Sequence, residues 1–461
     1  MSSKVDGFQE KILPPVMKFA NSKVIMAISQ GFMMTMPFTL IGSIFLLIAN
    51  FPIPAWNSWM TGIFGAGWAA PLTQVSNATF NILAIIAVYG IASQYAKNEG
   101  CDSLSAGMLG IVTFLIVSPS YLAVNVGDKV GGVVMKNADK LPNAIPTGWT
   151  GGKGMIAAIL VGLFVGYVFA WFLKRDIRVK MPDSVPEGVA NAFSALIPAA
   201  VVMTSGALIY IIFSVLSGGT AIEWVYKILE IPMQGLTDSL GGAIAIPFII
   251  SFFWWFGVHG AVLVGGVMGA IYQANALGNQ DVVKTGAKLV ASGAGKNAHI
   301  VAQQFQDNFL TMGGSGITIG LVLAMFLFAK SKRLKTLGNL ALVPGLFNIN
   351  EPVLFGFAIV LNPFMFVPFI IVPIISGLLT YFAIYTGLVP CFTAVQAIWT
   401  TPPIISGLIV AGWRGAVLQI VIIVIATAIY LPFFRIQDAQ YVKEEREGEL
   451  AIESDDNNLR L

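Results

Sequence analysis

Asn348-Ile349-Asn350-Glu351-Pro352 interrupts a run from Thr336 to Phe434 in which the one other charged residue is Arg414. A stretch of that length with so little charge cannot form the surface of a water-soluble domain. A carboxylate inside it costs roughly a few kcal/mol or more unless it faces a polar cavity. Glu351 is therefore the first candidate for a substrate site. Toward the amino terminus, Val24 to Ala96 holds no charged side chain and reads as long helical runs. A membrane β-barrel would instead alternate in segments of about ten residues. Charged residues make up 11% of the chain, against roughly 25% in soluble domains, and the mean hydropathy is +0.79. The fold class is all-α, a polytopic membrane protein.

A membrane helix needs about 20 apolar residues, which predicts spans near 25–50, 74–96, 104–125, 154–173 and 194–216. Thr220 to Ser239 mixes Glu223, Lys227, Glu230 and Asp238 with apolar residues and reads as an interfacial amphipathic helix. Gly241 to Ala274 is too long for one helix and breaks at Gly257-Val258-His259-Gly260, predicting a span and then a re-entrant segment. Residues 338–386 break twice, at Asn348 to Pro352 and at Asn362-Pro363. Segments near 317–329, 390–411 and 413–434 complete the bundle. Broken helices at membrane depth mark the solute pathway, since irregular backbone needs protein or water to satisfy it. This divides the chain into a helical scaffold over 1–219, a linker over 220–240, a site-bearing region over 241–434 and an acidic tail over 435–461.

Lysines 4, 11, 18 and 23 precede the first span; Lys174, Arg175, Arg178 and Lys180 follow the fourth; Lys330, Lys332, Arg333 and Lys335 follow a later one. The positive-inside rule then puts both termini in the cytoplasm. The loop from Val126 to Lys153, with four lysines, runs mildly against the rule, and its Gly and Pro content suggests that it folds back over the protein. The tail, with eight acidic and four basic residues, reads as a solvated segment. No cleavable signal peptide is evident, and Cys101 and Cys391 match no disulfide or metal spacing.

His259 is, tyrosines aside, the only ionisable group between Leu240 and Gln280, with Trp254 and Trp255 about one turn away. Tryptophan rings stack on the apolar faces of sugars while His and Glu bind hydroxyls at the edge. The alternative is a buried histidine satisfied by a carbonyl, with interfacial tryptophans. For Glu351 the alternative is an ion pair with Arg414. Trp399, in Ile398-Trp399-Thr400-Thr401-Pro402-Pro403, is a third candidate that could equally be an interfacial anchor. Lys296, Asn297, His299, Gln303 and Gln306 read as a solvated patch. Gly313-Gly314-Ser315-Gly316 lacks the Lys-Ser/Thr of a phosphate loop and reads as close helix packing. No nucleophile elbow, nucleotide fingerprint or metal spacing occurs, so no cofactor or metal is implied. Nucleic acid binding is unsupported, because the basic clusters lie at span ends.

Pro344-Gly345-Leu346-Phe347-Asn348-Ile349-Asn350-Glu351-Pro352-Val353-Leu354-Phe355-Gly356, with Leu361-Asn362-Pro363, Gly257-Val258-His259-Gly260, Gly313-Gly314-Ser315-Gly316 and Trp399-Thr400-Thr401-Pro402, resembles a known family. It is the membrane component IIC of the lactose/cellobiose/diacetylchitobiose class of bacterial phosphoenolpyruvate-dependent sugar phosphotransferase systems. The resemblance runs from Met36-Pro37 to Arg414. It implies a homodimer of ten-helix protomers with two re-entrant hairpins in the bacterial cytoplasmic membrane, the amino-terminal helices forming the dimer interface. It further implies an elevator-like displacement of a β-linked disaccharide, held for phosphorylation by a IIB partner that carries the phosphorylated Cys. His259 and Glu351 map to the hydroxyl that accepts phosphate. Asn350, Trp254 and Trp399 map to sugar contacts, with Asn348 beside them as a further candidate. Neither cysteine has the IIB motif and no soluble domain is expected after Arg435, so IIB is expected as a separate chain. The competing expectations are a proton-coupled sugar transporter using Glu351 and His259 as a relay, and a membrane-embedded enzyme acting on lipid-linked sugars.

Overall fold

The computed structural model describes Lys18 and residues 22–458 apart from 50–54, 125, 127, 128, 131, 132, 136–138, 183, 258, 294, 358 and 361. Lys4, Lys11, Val258 and Leu361, used above, lie outside the described residues. Among those described, six helices are long and apolar enough to cross a membrane: Lys23–Ala49, Ala70–Asn98, Gly152–Lys174, Glu187–Leu216, Phe364–Tyr385 and Ile405–Glu447. The pair Ala221–Thr237 and Leu240–Trp255 makes a seventh if it is one span, and Ser103–Val117 and Ile319–Phe328 are shorter apolar helices. The architecture is that of an all-α polytopic membrane protein, and the described chain divides into two compact units.

One unit comprises residues 16–236 with 265–285. Its core packs Ala92, Ala96, Ala106, Leu109, Val165, Phe169 and Val202, small residues alternating with large ones so that helices approach closely. At one end Glu99 bridges Lys174 and Lys23, the latter at 2.7 Å. These two ammonium groups hold the Glu99 carboxyl below its ordinary range. Asp102 caps the helix Ser103–Val117 by accepting from the Leu104 and Ser105 amides. That helix ends at Val117, short of the expected 125, because Ser118-Pro119 breaks it. The chain then extends, and Tyr121–Val124 pairs antiparallel with Asp139–Pro142, Tyr121 opposite Pro142. The lysine-containing loop is thus held by strand pairing.

The segment read as amphipathic is helical over Ala221–Val225, widens to a π-helix over Tyr226–Glu230 and resumes at Ile231–Thr237. A capping box between Thr220 and Glu223 starts it. Glu230, assigned to a polar face by its charge, is fully buried and accepts from the Gln234 amide at 3.3 Å.

The second unit contains Thr237–Val264 and the chain from Gly286 onward. Leu240–Trp255 runs to the expected interruption, and Gly260–Lys284 begins directly after His259. A π-helix, Phe305–Leu310, precedes the helix Ile319–Phe328. Both expected breaks between 338 and 386 occur, separating Lys332–Leu346, Glu351–Gly356 and Pro363–Tyr385. Gly412 has φ +66 and, with Ala411, kinks the helical stretch Ile405–Asn458 where a boundary was expected.

Two expectations fail here. The span placed at 390–411 is not helical before Ile405; its apolar composition hides Pro390, Pro402 and Pro403, and Ile404 is left-handed at φ 75. The backbone of this coil is satisfied instead by three buried amides. Gln304 donates to the Thr393 and Val395 carbonyls, Asn348 to those of Trp399 and Thr401, and Gln419 accepts from the Ile404 amide. That is the condition for irregular backbone at membrane depth.

The tail is not simply a solvated segment either, since the last span continues as helix to Asn458. Asp438 is buried and accepts from the Lys330 and Ser331 amides at 2.9 and 3.0 Å. Glu445 accepts from the Lys332 and Arg333 amides, each at 3.0 Å. These carboxylates offset the unfavourable placing of Lys332, Arg333 and Lys335 in the first turn of a helix, at the positive end of its dipole.

Candidate functional site

Trp254, His259, Asn348, Asn350, Glu351 and Trp399 all fall in the second unit. The helix Leu240–Trp255 starts on a Ser239 cap, and just past its end Gly257, at φ +79, turns the chain so that His259 directly precedes the next helix, Gly260–Lys284. The His259 ring lies 4.5 Å from the Trp254 ring, centroid to centroid. Trp254 is only 7% exposed, so its ring supports His259 more than it offers an open face to a sugar. Trp255 points elsewhere: its indole N–H donates to the Asn362 carbonyl at 3.0 Å and ties this turn to the second interruption.

The motif around Glu351 is built by a helix ending. In Lys332–Leu346 the chain stops with Asn348 left-handed at φ 63, a conformation that Asn tolerates better than most residues. The Asn348 amide donates to the Gly345 carbonyl at 3.1 Å and the Ile349 amide to that of Pro344 at 3.0 Å. This pair of bonds is a Schellman ending. Two residues later Glu351-Pro352 opens a new short helix, with Pro at a position where no amide hydrogen is needed.

Both motif asparagines are engaged by the scaffold. Asn348 accepts from the Gly313 amide at 2.7 Å and donates to the Trp399 and Thr401 carbonyls at 2.5 and 3.1 Å. Asn350 donates to the Ser315 carbonyl at 2.8 Å. A side chain at Gly314, which has φ +91, would place its Cβ 2.2 Å from the Asn350 side chain. The glycine run, read as helix packing, is thus a loop wrapped around the motif.

Glu351 itself is exposed and makes no side-chain hydrogen bond or ion pair to a described residue. It lies within electrostatic reach of His259. Arg414, its candidate partner, donates instead to the Gly387 and Leu388 carbonyls and lies 5.6 Å from the Trp413 ring. Trp399 is 46% exposed, which leaves ring area for stacking. The arrangement supplies an accessible carboxylate, a histidine within its electrostatic reach and an aromatic surface, held on loops whose backbone is pinned by buried amides.

The family model described as Phosphotransferase system, EIIC matches residues 29–373. The chain belongs to this EIIC family. The EIIC chain is 36% identical over 440 residues to the cellobiose-specific EIIC component of Geobacillus stearothermophilus, covering 95% of each. It is 30% identical to the lactose-specific EIICB component of Lacticaseibacillus casei, covering 97% of this chain and 73% of that one. In structure it is similar to the transporter ChbC, the IIC component of the N,N'-diacetylchitobiose-specific system: TM-score 0.88, 36% identity, covering 95% of this chain and 99% of that one. It is thus a sugar permease component of a bacterial cell membrane, which works with a IIB partner.

Sequence reading missed several residues that shape this EIIC site. Gln419 accepts from the Ile404 and Gly407 amides and donates to the Asn308 carbonyl at 2.7 Å. Its signal was available, since it is the lone amide in the apolar run from Ala416 to Tyr430. Gln304 was passed over beside the patch read as solvated. Within that patch Lys296 and His299 turn toward Asp238, at 3.1 and 3.3 Å, a carboxylate counted above only as part of an amphipathic helix.

Proposed function

We propose that this EIIC protein takes up a β-linked disaccharide of the cellobiose or diacetylchitobiose kind and holds it for phosphorylation by a IIB protein. The observation that carries the reading is Glu351, an exposed carboxylate unpaired among the described residues, within electrostatic reach of His259 and on a scaffold shared with Trp399. A sugar hydroxyl is a poor nucleophile until its proton has an acceptor. In this mechanism the hydroxyl oxygen attacks the phosphorus on IIB, the phosphorus–sulfur bond breaks to leave the IIB thiolate, and the proton passes to Glu351. His259 orients the same hydroxyl and Trp399 stacks on the sugar, with Asn350 and Trp254 beside it. The second unit carries the sugar inward, elevator-like, against a homodimeric scaffold. The exposed apolar side chains of Leu208, Ile211, Ile212, Val215 and Leu216 support that scaffold's contact with lipid or a second copy.

Replacing Trp399 by Ala is expected to weaken disaccharide binding by about 1–3 kcal/mol, the cost of truncating one aromatic anchor. Calorimetric titration of the purified protein with cellobiose, diacetylchitobiose, lactose and gentiobiose measures this and ranks the substrates. Unchanged affinity for all four assigns Trp399 to packing.

With both termini cytoplasmic, IIB meets the basic face at Lys330 to Lys335 or at Lys174 to Lys180. Lys330, Lys332, Arg333 and Lys335 project exposed side chains while their backbone amides, Lys335 apart, are taken by Asp438 and Glu445. Changing Lys330 and Lys335 to Glu, or Lys180 to Glu, should slow phosphorylation and leave sugar binding intact, because rim charges act mainly on encounter. Binding lost in parallel with phosphorylation would mean damage to the fold.

A further inference from the structure

We propose that Asn348 is a positioning residue that sets the distance between the Trp399 ring and Glu351, and that its side chain is not itself a sugar contact. This inference rests on the sugar-site reading of Trp399 and Glu351.

Three loops meet at this one side chain. Its Oδ1 accepts from Gly313 at 2.7 Å, in the loop that wraps Asn350; its Nδ2 donates to the carbonyls of Trp399 at 2.5 Å and Thr401 at 3.1 Å. Its backbone, at φ 63, ends the helix whose continuation presents Glu351. An amide NH2 has two hydrogens to donate. Both are used here on backbone carbonyls, and the residue is only 9% exposed. None of its donor capacity is left for a ligand.

The Trp399 segment has reason to need such a hold. It is coil from 386 to 404, it carries the half-exposed ring, and around Trp399 the bonds from Asn348 are supplemented by the turn bond from the Thr401 amide to the Ile398 carbonyl. Gln304 and Gln419 fasten the same coil at Thr393, Val395 and Ile404, on either side. Without the Asn348 amide the ring would keep its chemistry and lose its fixed place relative to the carboxylate.

Asn348→Asp isolates this role. Aspartate tolerates the left-handed backbone and keeps an oxygen for the Gly313 amide, but it faces the Trp399 and Thr401 carbonyls with an oxygen in place of the NH2. Sugar affinity by calorimetry, and KM and kcat for phosphorylation by phosphorylated IIB, are measured for wild type, Asn348→Asp, Trp399→Ala and the double variant. Each single change is expected to weaken binding about tenfold, and the double no more than about threefold beyond Trp399→Ala, since a residue acting through another is non-additive with it. KM should rise for Asn348→Asp while kcat stays within about threefold of wild type, because Glu351 keeps its proton-accepting carboxylate.

Additive losses, near a hundredfold in the double variant, would overturn the proposal and make Asn348 an independent contact. A collapse of kcat would equally overturn it. Should Trp399→Ala alone leave affinity unchanged, the sugar-site reading fails and this inference falls with it, an outcome distinct from additivity. If the aspartate variant does not fold, Asn348→Gly, which accepts the same φ without strain, replaces it in the cycle under the same criteria.

Discussion

Glu351→Gln should lower phosphorylation of the disaccharide by about 100-fold or more while sugar still binds, the size expected when a general base is removed. Glutamine keeps the shape of the side chain and much of its hydrogen bonding, but at neutral pH it takes up no proton. The structure gives reason to expect an intact fold. The carboxylate is exposed and contributes no hydrogen bond or ion pair to a described residue, so no scaffold contact is lost with the charge. Pro352 and the Asn348 ending fix the local backbone independently of residue 351. The measurement is phosphorylation of radiolabelled disaccharide in membrane vesicles supplied with phosphorylated IIB, alongside equilibrium binding. A proton relay in a gradient-driven carrier predicts another pattern, loss of uptake against a gradient with sugar exchange retained. A wild-type rate in the glutamine variant would remove Glu351 from the mechanism.

Much of what positions Glu351 was legible because it is written in residues with local backbone consequences. Gly257, Asn348-to-Pro352, Asn362-Pro363 and Gly412 each interrupt a helix near where they stand in the sequence. Proline, glycine and left-handed asparagine act on their own φ and ψ, so no distant partner is needed to read them. The coil from 386 to 404 was not legible in the same way. Hydropathy reports how apolar a segment is, and this one, like a span, carries no charged side chain. What keeps it irregular is the satisfaction of its backbone by Gln304, Asn348 and Gln419, the first of them about ninety residues distant in sequence. The same holds for Asp438 and Glu445, which meet their partners more than a hundred residues away. Composition counted them as solvated charge, whereas their role is fixed by what packs against them. Asn348 shows both sides of this: its effect on its own helix could be read, and its hold on Trp399 could not.

Asp238 marks the other large effect, on stability and not on chemistry. Its side chain is 2% exposed, accepts from the Ile300 and Val301 amides at 2.6 and 2.9 Å, and lies 3.1 Å from Lys296 and 3.3 Å from His299. One carboxylate therefore fastens the segment leading to the π-helix Phe305–Leu310 onto the start of the helix that carries Trp254. Asp238→Ala is expected to cost about 3–5 kcal/mol, because it strands two buried amides as well as separating the charges. Lys296→Ala and His299→Ala should cost much less, since each leaves Asp238 its two backbone donors and each of those side chains is partly exposed. Asp238→Asn should fall between, keeping an oxygen for the amides and losing the charge facing Lys296. Thermal unfolding in detergent gives the order directly, with the alanine variant melting lowest by several degrees or more. If Lys296→Ala destabilises as much as Asp238→Ala, the ion pair carries the stability and the backbone bonds do not. The physical expectation is the reverse: Ile300 and Val301 are buried almost completely, so no water replaces the carboxylate at their amides, whereas a half-exposed ammonium can turn to solvent.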